Sequence, residues 1–90
     1  MLYLIAYDIP NDGRRTRLHK ALCGFGAWTQ FSLFECFLDE KELVALRSRV
    51  DELINPKEDN VRIYHICHAC QGKTETIGST PPAEDKVYLL

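Results

Sequence analysis

Apolar and polar positions follow two different periods along this chain, and the switches between them mark out its elements. Leu2 to Tyr7 is an almost unbroken apolar run without clean alternation, the pattern of a strand covered on both faces. A turn-rich stretch, Ile9 to Gly13, follows. From about Gly13 to Cys23 the period becomes helical. Leu18, Leu22 and Phe25 fall on one side with Ala21 beside them, Asn11 or Asp12 is placed to cap the start, and Gly24 and Gly26 supply the stop. Trp28 to Leu38 returns to the strand period but changes phase midway. Phe31 and Leu33 share one face, whereas Phe34, Cys36 and Leu38 share the other. A strand that switches faces needs a bulge or a sharp bend, so a break is predicted near Ser32 to Phe34, or two short strands in place of one.

Asp39 with Glu42 has the spacing of a capping box. Leu43, Leu46, Val50, Leu53 and Ile54 give the buried stripe of the helix it opens, and Pro56 ends that helix. Val61 to Cys67 is the next strand, with Val61, Ile63, His65 and Cys67 on one face and Arg62, Tyr64 and Ile66 on the other. Gln71 to Glu84 is polar and carries Gly72, Gly78 and Pro81-Pro82. It predicts mostly loop, with room for a short strand at Glu75 to Ile77. Lys86 to Leu90 is a short apolar terminal strand.

Strand, helix, strand pair, helix, strand predicts an α+β fold: a ferredoxin-like sandwich with two helices on one face of an antiparallel sheet. Its 90 residues make one domain, with a core over residues 1–67, a linker region over 68–85 and the terminal strand at 86–90. The terminal strand is too apolar to stand in water, and its long, proline-stiffened linker lets it reach a distant sheet edge, in the same chain or in a partner.

Composition narrows the classes. With 46% apolar and 27% charged residues the chain is globular rather than disordered. A net charge of −2 gives no global attraction for nucleic acid, so any such binding must come from local clusters of basic residues. No apolar run is long enough to span a bilayer, and with a strand starting at residue 2 no leader is expected; the expected location is cytoplasmic, with no membrane partner. In that compartment the four cysteines are expected as free thiols. No repeat, P-loop, GxSxG, HExxH or GxGxxG pattern is present.

Three constellations carry candidate chemistry. Asp8 ends the first strand and is followed by Arg14, Arg15, Arg17 and Lys20. A carboxylate at a strand tip suits Mg²⁺, and arginine forks suit phosphate; Asp8 also has the type and place of a residue that caps the next turn. Arg14 and Arg15 sit where the helix dipole disfavours cations, which argues mildly for an anionic partner. Cys67-His68-Ala69-Cys70, with His65 before it, has the spacing of half a zinc site or of a redox pair. No second ligand pair and no following helix is expected, which favours a thiol pair without a catalytic role. Trp28, Phe31, Phe34 and Phe37 have the types that stack bases, but few basic residues separate them, so core packing is their expected role. Gln30 and Ser32 are polar positions in this strand and are candidates to support the Asp8 site, while His19 is expected at the surface.

Together YDIPNDGRRTRLHKAL, Gly26, TQFSLFECFL and VRIYHI resemble the small CRISPR-associated endoribonuclease family, the second core protein of CRISPR adaptation, over roughly residues 1–67. The resemblance implies a ferredoxin-like homodimer whose terminal strand, here Lys86 to Leu90, packs on the partner's sheet. It implies that Asp8 is the catalytic Mg²⁺ ligand, facing its copy across the dimer axis, and that the protein is a metal-dependent endonuclease on RNA or DNA. It also implies a bridge between dimers of the CRISPR integrase that holds the DNA to be inserted. A scaffold without catalysis, or a related RNA-cleaving toxin, is the alternative. Two departures stand out: Trp28 occupies a position where many members carry arginine, and the Cys67–Cys70 motif is not a family feature.

Overall fold

A computed structural model describes residues 1–78. The elements run β1 (Leu2–Asp8), α1 (Asp12–Leu22), β2 (Ala27–Gln30), β3 (Leu33–Phe37), α2 (Glu40–Leu53), β4 (Asn60–Ile66) and a one-turn α3 (His68–Gln71). The strands form one antiparallel sheet in the order β2-β3-β1-β4. β1 is therefore central, which explains its near-continuous apolar run. This is the expected α+β sandwich. The terminal strand expected at Lys86 to Leu90, and the linker beyond residue 78, lie outside the described residues.

Alternation along β1 sorts its side chains. Tyr3, Ile5 and Tyr7, with Ile9 just beyond, join Leu18 and Leu22 of α1, Phe34 and Cys36 of β3, and Leu43, Leu46 and Val50 of α2 in one core. Leu2, Leu4, Ala6 and Asp8 point to the other face. Their register partners there include Phe37, Glu35 and Leu33 on β3, and Ile66, Tyr64, Arg62 and Asn60 on β4. Both helix starts are capped as their sequences predict. The Asn11 side chain accepts from the Arg14 amide at 2.9 Å, and Asp39 and Glu42 exchange bonds of 2.8 and 3.0 Å. Gly26 lets β2 approach β3 closely, since a Cβ there would lie 2.4 Å from the Glu35 carbonyl oxygen.

The phase change in the Trp28–Leu38 segment is a hairpin turn between two short strands. Phe31 takes a left-handed backbone, φ 42°, and the Trp28 indole Nε1 donates to its carbonyl at 2.7 Å. The turn corrects the expectation that all four aromatics pack in the core. Phe34 is fully buried and Trp28 half-buried, but Phe31 is 88% and Phe37 44% exposed. Two further expectations change. The CxxC segment is helical, with Cys67 capping α3, because the Cys67 sulfur accepts the Cys70 amide at 3.3 Å. No strand forms over residues 75–77. No helix among the described residues is long and apolar enough to cross a membrane.

Candidate nucleic-acid site

The C-terminal end of β1 presents different chemistry on its two faces. On the face opposite α1 and α2, Asp8 is exposed at the strand tip and pairs in register with Asn60. Its side chain makes no hydrogen bond or ion pair among the described residues, so it caps nothing here.

The basic residues of α1 divide into two sets. Arg14 is committed: its guanidinium grips Asp59 through two bonds of 2.8 and 3.1 Å and approaches Glu58 at 3.6 Å. The Asp59 side chain is fully covered, and it also accepts from the Asn55 amide at 2.8 Å. The Arg14 hydrogen bond holds the Asp59 carboxyl below the usual carboxylate range. The cation near the start of α1 is thus balanced within the chain rather than by a bound anion. Arg15 donates to the Ile9 carbonyl at 2.9 Å and pairs with Asp12. Arg17 and Lys20 are exposed and make no ion pair among the described residues.

On the helix face, α1 and the β2–β3 turn enclose a cleft of about 420 Å³. Tyr7, Arg15, Lys20, Phe31 and Ser32 contribute to its walls. Ser32 therefore opens on the side of the sheet opposite Asp8, and Gln30 is exposed at the end of β2. His19, expected at the surface, is half-buried in the wall of this cleft. Its Nδ1 lies 3.1 Å from the Tyr7 hydroxyl, and its ring meets Trp28 and Phe34 edge-on at 5.9 and 5.1 Å. Burial pushes the Tyr7 phenol above its ordinary value. The position of His19 one residue beyond Leu18, at the margin of the buried stripe, was the available sequence signal for this role.

The thiols sit elsewhere. Cys67 and Cys70 are exposed past the end of β4, Cys23 is exposed just after α1, and Cys36 is buried in the core. No cluster of three or more His, Cys, Asp or Glu able to hold a metal ion occurs among the described residues.

A family model described as CRISPR associated protein Cas2 matches residues 1–74. The chain is 44% identical over 94 residues to CRISPR-associated endoribonuclease Cas2 1 of Synechocystis sp., covering 100% of both chains. It is 42% identical over 93 residues to the protein of the same name from Chloroflexus aurantiacus, again covering 100% of both. Among solved structures it resembles hypothetical protein TT1823 from Thermus thermophilus, with a TM-score of 0.79, 42% identity, and coverage of 92% of this chain and 96% of that one. It resembles Streptococcus pyogenes Cas2 with a TM-score of 0.75, 29% identity, and 87% and 100% coverage. A chain of a partial Cas6-RT-Cas1–Cas2 complex matches with a TM-score of 0.72, 26% identity, and 92% and 97% coverage.

Proposed function

Because the chain belongs to the CRISPR-associated Cas2 family, we propose that it is a Mg²⁺-dependent endonuclease of CRISPR adaptation, working as a homodimer that joins the CRISPR integrase and acts on RNA or DNA phosphodiesters. The observation that carries this reading is the exposed Asp8 carboxylate at the tip of the central strand, unpartnered among the described residues, in a chain whose curated relatives bear endoribonuclease names. The integrase partner is supported by the similarity to a chain of the Cas1–Cas2 complex.

The face around Asp8, opposite α1 and α2, supports a second copy as neighbour. Leu4, Leu33, Phe37, Tyr64 and Ile66 make it largely apolar, and Phe37 and Tyr64 are 44% and 45% exposed. The Asp8 carboxylate and the Asn60 amide are hard oxygen donors, and Mg²⁺ takes one or two carboxylates plus water and phosphate, so the donor set fits once a second Asp8 is supplied. When bound, the ion supplies a Lewis acid at the scissile phosphate. The chain's own part is to gather the strand: Arg17 and Lys20, with the donors of Arg15 left over from Ile9 and Asp12, hold the phosphate backbone.

The test uses protein purified without divalent ions, assayed for cleavage of single-stranded RNA and duplex DNA with Mg²⁺ or chelator. The parent should cleave only with Mg²⁺. Asp8→Asn should not cleave, yet should remain a dimer by light scattering. Full cleavage by Asp8→Asn overturns the assignment. If neither protein cleaves but both support integration with the integrase, the chain is a scaffold and Asp8 carries no chemistry.

A further inference from the structure

We propose that the cleft between α1 and the β2–β3 turn binds one unpaired nucleotide of a nucleic-acid strand, its base against the Phe31 ring and its phosphate toward Arg15 and Lys20. The ligand class rests on the nucleic-acid reading above, which already gives Arg15 and Lys20 to the phosphate backbone; the cleft adds to it a base site on the face of the sheet opposite Asp8. Tyr7 and Asp8 are successive residues of one strand and point to opposite faces, so the cleft opens on the side of the sheet away from the carboxylate.

Phe31 is the first observation. It carries two costs together: a left-handed backbone at φ 42° and a side chain 88% exposed. Bulky residues rarely adopt that backbone, and Asn or Gly would satisfy the turn at less cost. The turn is held by the Trp28 indole bond to the Phe31 carbonyl and the Thr29 hydroxyl bond to the Leu33 carbonyl, 2.7 and 3.1 Å. The outcome is an exposed aromatic ring carried by a held backbone turn at the rim of a cleft, with no aromatic neighbour among the described residues. Base–aromatic stacking is the interaction such a ring offers, and it tolerates any base because every base has a π-face.

The cleft itself is the second observation. Its volume of about 420 Å³ lies within the range of small-molecule sites, and its lining has cations and hydroxyls but no carboxylate. Lys20 supplies charge for a phosphate, Arg15 adds the donors that Ile9 and Asp12 leave over, and Thr16 and Ser32 supply hydroxyls. His19 is oriented from both sides: Nδ1 meets the Tyr7 hydroxyl, and Trp28 and Phe34 brace the ring. The other ring nitrogen has no protein partner among the described residues and is left for a ligand. An inorganic anion would use the cations and leave the ring idle; an apolar peptide would use the ring and leave the cations unpaired. A nucleotide uses both.

Trp28 is the chain's one tryptophan and contacts two residues of the cleft, the His19 ring at 5.9 Å and the Phe31 carbonyl at 2.7 Å, so its fluorescence reports on changes there. The experiment titrates the full-length protein with uridine or adenosine monophosphate, and separately with inorganic phosphate, in chelator. Both nucleotides should give a saturable change, and phosphate alone a much weaker one. Phe31→Asn should lower nucleotide affinity about tenfold while holding or raising the thermal midpoint, because Asn accepts the turn's backbone. Phe31→Tyr should bind like the parent. A merely structural role would move binding and stability together. Asp8→Asn should bind mononucleotide like the parent, so loss of cleavage and loss of the cleft are read separately. The proposal is overturned if no saturable change occurs at millimolar nucleotide, if phosphate matches the nucleotides, or if Phe31→Asn binds as tightly as the parent.

Discussion

Arg14 and Asp59, 45 residues apart, are joined by a two-pronged hydrogen bond that ties the first turn of α1 to the start of β4. The Asp59 side chain is fully covered, so its charge depends on that guanidinium and on the Asn55 amide. Its carboxyl titrates below the ordinary value in the folded chain. The unfolded chain regains the ordinary value of about 3.9. The pair therefore contributes stability in full above about pH 4, and that contribution is lost as pH falls through the lowered folded value. Asp59→Asn should lower the thermal midpoint by several degrees near neutral pH. Its midpoint should then vary less than the parent's as pH falls below about 4. Circular-dichroism melts across that range check both; parallel curves would show that the pair adds nothing.

A methyl group at position 26 has nowhere to go. A Cβ there would meet the Glu35 carbonyl oxygen at 2.4 Å and the Cys36 Cα at 2.8 Å, both of them backbone in the adjacent strand. Gly26→Ala should cost about 1–3 kcal/mol by overpacking. Gly24→Ala meets its nearest neighbour, the Ala21 carbonyl, at 3.3 Å and should cost less. Urea denaturation of the pair measures the difference, and equal stabilities would show that the β2–β3 hairpin shifts freely.

The fold was legible because period and punctuation agreed. The apolar run of β1, the stripe of α2 and the Asp39–Glu42 cap each point to the element found. The phase change announced a break near Ser32 to Phe34 but not its form or its place at residues 31–32, since a left-handed Phe breaks the usual preference and is fixed by the Trp28 indole. The α1 cations were legible as a cluster and not as individuals. Arg14 and Arg17 look alike in sequence, and only the approach of Asp59 across the fold separates them. The half-burial of His19 is signalled by its place at the margin of the α1 stripe, but its bond to Tyr7, twelve residues earlier on another element, is not. The α3 turn at the CxxC segment was missed because one turn has no periodicity to read.

Three of the four thiols should differ sharply in reactivity. The Cys70 thiol and amide both donate to the Cys67 sulfur and favour its thiolate, which lowers the Cys67 pKa; the same contact raises that of Cys70. Burial pushes the Cys36 thiol up to about 12. At neutral pH iodoacetamide should therefore label Cys67 ahead of Cys70, and Cys36 only after unfolding. Peptide mass mapping over a time course checks the order. Equal labelling of Cys67 and Cys70 would show that the capping hydrogen bond does not persist in solution.

Arg17 and Lys20 should carry phosphate binding that Arg14 does not. Each phosphate contact removed should reduce the slope of log affinity against log salt by about 0.9 for duplex DNA. Arg17→Ala and Lys20→Ala should each show that reduction on two unrelated sequences alike, because backbone contacts carry no sequence information. Arg14→Ala should leave the slope unchanged and lower the thermal midpoint instead, since it strands the covered Asp59 carboxylate. Fluorescence anisotropy across a salt series without divalent ions, alongside melts of each variant, separates the two effects. If Arg14→Ala reduced the slope as the others do, the Arg14–Asp59 pair would have to open when DNA binds. The binding surface would then extend from the exposed face of α1 to the start of β4.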